Sequence, residues 1–214
     1  MEEFWEQSFK DNQRMWGEVP AEVTLEVNAL FQEHNIKNVL VPGFGYGRNA
    51  KLFIENGIDV TGIELSQTAI AMANKNIQGD FKLHQGTVAN MPFDTKTYQG
   101  IYCYALLHLL RANERKKLIQ DCYNQLEVGG IMIFVTLSAN DHRFGKGQEM
   151  GHNAFLTKHG IVLYFYDEAS IVDEFGFYGL FEVVEIDEPK EKRGIKPSEK
   201  FWKISCTKLE EFNQ

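Results

Sequence analysis

Cysteine is scarce in this sequence: three residues in 214, with no C-x-x-C pair. Cys103, Cys122 and Cys206 are odd in number, far apart and set among apolar neighbours. That argues against a redox or metal role and for small buried hydrophobes in a reducing compartment. Basic charge is also short. The chain has 22 Lys and Arg against 30 Asp and Glu, a net charge of −8. No basic surplus is left to neutralise phosphates, which argues against nucleic acid as the main partner. Long hydrophobic runs are missing as well. The longest, 131–137, is far below the ~20 residues that a membrane-spanning helix needs. The start, Met-Glu-Glu-Phe-Trp-Glu, lacks the basic and apolar stretches of a signal peptide. Cytoplasm, with no membrane partner, is the expected setting. Internal repeats and low-complexity blocks are absent too.

What is present suffices for a core. The apolar fraction is 43% and the aromatic fraction 13%, so global disorder is excluded. The length predicts one domain, 1–214.

The order of elements predicts the fold class. Val23, Val27, Leu30, Phe31 and His34 recur at helical spacing over 20–34. A short apolar strand at 38–42 runs into Gly43, Gly45 and Gly47, then a helix over 48–55. Strands follow at 59–65, 81–85, 98–104 and 131–137, with Ser66 able to cap a helix after the second. An amphipathic helix spans 114–126, and Asp167 and Glu168 head another that runs to about 175. Apolar strands alternating with helices predict an α/β fold, a mostly parallel sheet covered on both faces. Two final strands, 181–186 and 201–207, have only the polar stretch 187–200 between them. A connection without a helix makes an antiparallel pair, so the sheet should end with a reversed strand.

Ligands in such sheets bind beyond the carboxyl ends of the strands. Gly43, Gly45 and Gly47 allow close backbone approach there, and the helix start that follows offers free N–H groups. A tight turn with no ligand is the competing reading. Glu64 ends the second strand about 20 residues beyond the glycines, which suits an acceptor for ribose hydroxyls. These two features favour a nucleoside site without choosing between a dinucleotide and S-adenosylmethionine.

The loop reads G-x-G-x-G rather than G-x-G-x-x-G. It is followed by Asn90-Met-Pro-Phe-Asp94, Tyr98-Gln-Gly-Ile-Tyr-Cys-Tyr104 and Leu126-Glu-Val-Gly-Gly-Ile131. In this order the motifs resemble the class I S-adenosylmethionine-dependent methyltransferases, over about 16–208. Pro42-Gly43 and the segment Met15-Trp16-Gly17-Glu18-Val19-Pro20 are similar to the small-molecule branch that includes thiopurine, thiol and tellurite methyltransferases. The middle of the chain looks more like the ubiquinone-biosynthesis type.

The resemblance implies a Rossmann-like seven-stranded sheet with a reversed last strand, and methyl transfer from S-adenosylmethionine to a small molecule, leaving S-adenosylhomocysteine. It implies that Gly43, Gly45 and Gly47 line the methionine end, with Trp16 and Tyr46 nearby. Glu64 would take the ribose hydroxyls, Leu65 would pack on adenine, and Thr87 and Val88 would meet its edge. Tyr104 would approach the sulfonium. Relatives often carry an acid where Val41 stands and Asp where Thr87 stands. His108 matches a frequent family histidine and has the chemistry of a base near neutral pH; the competing reading is a histidine that only packs.

Residues 1–36 are expected to form a helical cover. Residues 138–166 begin at the ligand edge and read as a long loop, a substrate lid with aromatic walls. Its candidates are His142, Phe144, His152 and Phe155. The histidine spacings fit no familiar metal-ligand pattern, so no metal is expected. The alternatives are a non-catalytic cofactor- or partner-binding protein on the same fold and, further off, an NAD(P)-dependent oxidoreductase. A monomer or homodimer is expected.

Overall fold

The computed structural model describes residues 2–191 and 197–210. Its main sheet has seven strands in the order β3-β2-β1-β4-β5-β10-β9, and a separate three-stranded sheet is ordered β6-β7-β8. This is the Rossmann-like, mostly parallel arrangement with a reversed strand that the sequence predicts. The chain divides into two compact units, Met1–Tyr102 and Cys103–Gln214.

In the first unit, α1 (Glu2–Asn12) and α2 (Glu22–Glu33) precede β1 (Asn38–Pro42), α3 (Ala50–Glu55), β2 (Asp59–Glu64), α4 (Gln67–Asn76), β3 (Phe81–Gln85) and most of β4 (Tyr98–Tyr104), whose last two residues fall in the second. Helix α2 forms because Val23, Val27 and Phe31 fall on one stripe, and all three are buried. Gly100 lets that stripe close on the sheet: a Cβ there would lie 3.0–3.2 Å from Val39, Ile36 and Phe31. The Thr24 hydroxyl, buried on the same stripe, pairs with the Tyr102 hydroxyl at 2.9 Å. Strand β1 is parallel to both β2 and β4, and β2 to β3. The carboxyl ends are in step, with Pro42 opposite Ile63 and Glu64 opposite Gln85.

The second unit contains α5 (Ala112–Gln125), β5 (Leu126–Leu137), β6 (Gln148–Gly151), β7 (Ala154–Leu156), β8 (Val162–Tyr164), α6 (Glu168–Phe175), β9 (Leu180–Glu188) and β10 (Glu199–Thr207). Strand β10 runs antiparallel to both β5 and β9. Asp167 caps α6, accepting the Ser170 amide at 2.8 Å.

Several boundaries differ from the sequence reading. Strand β5 begins at Leu126, five residues early, because Gly129 and Gly130 hydrogen-bond Lys208 and extend the strand instead of only turning it. Helix α3 begins at Ala50 because Gly47, at φ 82°, is still in the turn. Helix α1 was not separately resolved in the sequence. The polar segment 187–200 is shorter than expected, since β9 and β10 extend into it; 192–196 lie outside the described residues.

The long loop read over 138–166 is corrected. Residues 148–164 contain the antiparallel meander β6-β7-β8. Its turns use Asn153 at φ 57° and Gly160 at φ 78°, which are tight-turn signals between short strands. Strands of three or four residues are too short for alternation to be conspicuous. Among the described residues, no helix is long and apolar enough to cross a membrane.

Candidate functional site

The first unit gathers its functional groups at the ends of β1, β2 and β3. Gly43 and Phe44 donate their amides to the carbonyl of Ile63 at 2.9 and 3.0 Å, folding the glycine loop over the end of β2. Gly43, Gly45 and Gly47 have φ of 72°, 59° and 82°, a region that side chains disfavour. A Cβ on Gly47 would lie 2.2 Å from Ile77, whereas one on Gly45 would meet nothing within 4 Å. The loop is therefore packed at Gly47 and open at Gly45.

Glu64 is 7% exposed. Its Oε2 accepts the Gly45 amide at 2.7 Å and its Oε1 the Ser66 amide at 2.8 Å. Burial raises the carboxyl above its usual range, against the opposing pull of the Ser66, Gly45 and Leu65 amides. Each carboxylate oxygen can accept more than one hydrogen bond, so acceptor capacity is left for a ligand hydroxyl. Leu65 follows half-buried. Gly86 donates its amide to the Glu64 carbonyl at 2.9 Å, which places Thr87 and Val88 directly after a residue tied to Glu64. Thr87 is half-buried and caps a short 3-10 turn, while Val88 is buried. Val41 is buried within β1.

Trp16 stacks on Tyr46, with centroids 6.2 Å apart and planes within 12°. The Tyr46 hydroxyl donates to the Gly17 carbonyl at 2.7 Å and accepts the Trp16 amide at 3.3 Å. Arg48 donates to the Trp16 carbonyl at 2.7 Å. Trp16 remains 49% exposed and Tyr46 is buried.

Sequence reasoning missed Glu6. Its carboxylate accepts the Ser66 hydroxyl at 2.7 Å and the Thr68 hydroxyl at 2.6 Å, at the start of α4. Those hydroxyls and the Thr68 amide pull its pKa down to about 2. Trp5 and Phe9 on the same helix pack with Tyr46 and Ala69. No local pattern announces a contact spanning about 60 residues.

In the second unit, Tyr104 stacks on Phe201 with centroids 6.0 Å apart. His108 is buried, its Nδ1 lying 3.4 Å from both the Leu137 amide and the Thr136 hydroxyl. Burial pushes its pKa down to about 3, helped by the charge of Arg143. An imidazole so disposed is a poor base near neutral pH, and the packing reading of His108 accounts for its surroundings. His142 is exposed and 3.6 Å from Asp141, and His152 is exposed and 3.8 Å from Asp167. Phe144, Phe155 and Phe165 form an edge-to-face cluster. Among the described residues, no group of three His, Cys, Asp or Glu is placed to hold a metal ion.

Residues 40–134 match the family model described as a methyltransferase domain. The match covers less than half of the chain. It runs from β1 into β5 and contains the glycine loop, Glu64, Thr87 and Tyr104. A curated relative, an uncharacterised protein of Haemophilus influenzae, is 27% identical over 94 residues, 41% of this chain. The match spans only 38% of that relative's length.

Solved structures share the fold across nearly the whole chain. The Burkholderia thailandensis 1,6-didemethyltoxoflavin-N1-methyltransferase, with bound 1,6-didemethyltoxoflavin and S-adenosylhomocysteine, aligns with TM-score 0.72 at 14% identity, covering 98% of this chain and 87% of its own. The CcbJ methyltransferase of Streptomyces caelestis aligns with TM-score 0.72 at 18% identity, covering 98% and 100%. TehB of Haemophilus influenzae aligns with TM-score 0.63 at 16% identity, covering 95% and 67%. These likenesses show the fold that the sequence motifs predict. The residues at its strand ends also fit S-adenosylmethionine: an open glycine turn, and a buried carboxylate with spare acceptor capacity.

Proposed function

We propose that this protein transfers a methyl group from S-adenosylmethionine to a small-molecule acceptor. The observation that carries the reading is the Gly45–Glu64 pair, a buried carboxylate at the end of β2 joined to an open glycine turn at the end of β1. Gly43, Gly45 and Gly47 would take the methionine end and Glu64 the ribose hydroxyls. Leu65, Thr87 and Val88 would meet the adenine. Thr87 offers a neutral hydroxyl in place of a charged acceptor, so its bond would be the weaker kind. Trp16 and Tyr46 are the candidates for covering the cofactor, and Tyr104 is the candidate for its sulfonium end.

When bound, S-adenosylmethionine supplies a methyl group already activated for in-line displacement. The protein's part is to bind and orient the acceptor, which can remove ~7–11 kcal/mol of barrier. With His108 buried and neutral, the acceptor atom should arrive already deprotonated or intrinsically nucleophilic. Residues 138–166 would hold the acceptor. A net charge of −8 fits a small molecule better than a nucleic acid. We infer a cytoplasmic monomer or homodimer.

Calorimetry with S-adenosylhomocysteine, and with NADH as control, tests the cofactor. Micromolar binding of the first and none of the second is expected. Tight NADH binding would replace the reading with an oxidoreductase. Cofactor binding without turnover on thiols, chalcogen oxyanions, phenols and amines would favour a non-catalytic role.

A further inference from the structure

Helix α1 touches both sides of the strand-end site in the first unit. Of its residues only Phe9 is buried, so apolar packing alone ties it down weakly. On one side, Phe9 packs edge-to-face on Tyr46 and Trp16, with centroids 6.2 and 5.9 Å away, and Trp5 lies 6.1 Å from Trp16. Tyr46 stands between Gly45 and Gly47 in the glycine turn. On the other side, the Glu6 carboxylate accepts the Ser66 hydroxyl at 2.7 Å, the Thr68 hydroxyl at 2.6 Å and the Thr68 amide at 3.2 Å.

Ser66 is the junction between this helix and Glu64. Its amide donates to Glu64 Oε1 at 2.8 Å. Its hydroxyl oxygen accepts the Ala69 amide at 3.1 Å, and the one hydroxyl proton goes to Glu6. Ser66 is buried, and a buried donor left without an acceptor is costly. Without Glu6 the turn that carries Ser66 and Glu64 would shift to recover one.

Charge and geometry predict opposite outcomes here. The Glu6 charge helps to raise the Glu64 carboxyl. By charge alone, removing Glu6 would make Glu64 the better acceptor; by geometry, it would make Glu64 the worse one.

We infer that Glu6 is a positioning residue for the cofactor: it latches α1 onto Ser66 and Thr68, and so holds Glu64 in the geometry that takes the ribose of S-adenosylmethionine. This rests on the proposed cofactor role of Glu64 and deepens it. Coupling between two binding events is reciprocal, so the bound cofactor should in turn hold α1 down.

The test uses the full-length protein, S-adenosylhomocysteine and calorimetry. Glu6→Ala should raise the dissociation constant at least about fivefold. Glu6→Gln keeps one acceptor oxygen and should fall between the two. Glu3→Ala, which removes the same charge from an exposed position of the same helix, should bind as the unaltered protein does. Hydrogen exchange supplies a readout that a merely structural contact would not move: saturating S-adenosylhomocysteine should slow the α1 amides at least about fivefold, and Glu6→Ala should lose most of that slowing. An unchanged or tighter dissociation constant in Glu6→Ala, an equal loss in Glu3→Ala, or α1 exchange indifferent to the ligand overturns the inference. If Glu6→Ala does not fold, the exchange comparison on the unaltered protein decides alone. Failure of the unaltered protein to bind S-adenosylhomocysteine would instead count against the cofactor reading, so the two failures are distinct.

Discussion

Gly45 gives its amide proton to Glu64 at 2.7 Å. The bond joins the turn after β1 to the end of β2, and makes one carboxylate both a brace for the loop and an acceptor facing the ligand edge. Replacing Glu64 by Gln should weaken S-adenosylhomocysteine binding by roughly 1–3 kcal/mol, because a charged acceptor becomes neutral. Calorimetry measures it, and an unchanged dissociation constant would remove Glu64 from the ribose role.

The glycines should differ in what they tolerate. Gly47→Ala strains a positive φ and drives a Cβ within 2.2 Å of Ile77, so a loss of about 1–3 kcal/mol in urea unfolding is expected. Gly45→Ala meets open space and should lose only about 1 kcal/mol of stability, while its cofactor affinity falls more. If both lose equal stability, the packing distinction between the two positions is wrong.

Glu6 carries a pH signature. Its pKa is drawn down to about 2 by the hydroxyls of Thr68 and Ser66. A depressed carboxyl stabilises the fold fully above its ordinary value near 4.5 and loses that contribution as pH falls through about 2. Glu6→Gln should be less stable than the unaltered protein near neutrality, with the gap closing on acidification. Urea midpoints followed by tryptophan fluorescence, with Trp5 next door, report it; a gap independent of pH would deny the effect to ionised Glu6.

His108 should remain neutral across the physiological range. Its folded pKa of about 3 lies below the ordinary 6.5, so its contribution is complete above 6.5 and is lost as pH falls toward 3. Nitrogen-15 spectra should show a neutral ring at pH 5, and His108→Phe should flatten the stability slope between those limits. An imidazolium signal emerging near pH 6 would return His108 to the list of bases.

The pair Arg115–Glu174 is buried at 2.8 Å, with the Tyr166 hydroxyl donating to the same carboxylate at 2.6 Å. Arg115→Met leaves an uncompensated buried charge and should cost about 3–5 kcal/mol. Adding Glu174→Leu should recover part of that loss, since the charge goes too. Denaturant melts of the single and double variants decide it, and simple additivity would mean the two groups are not coupled.

The cofactor side of the site was legible because its signals are local. Gly43, Gly45, Gly47 and Glu64 declare themselves by spacing, and the apolar strands around them by composition. The reversed β10 was legible because a polar stretch without a helix permits nothing else. Glu6 was not, since its partners Ser66 and Thr68 are meaningful only once α1 lies on α4. The meander was concealed because its strands are only three or four residues long, with Asn153 and Gly160 in its turns.

All three thiols are buried, and burial raises the pKa of each, to about 12 for Cys206. A maleimide should therefore find almost no thiolate on the native chain. A cysteine introduced at exposed His152 would be the sole attachment point for a dye. The meander can then be watched by fluorescence as acceptors are added, without first removing any native cysteine.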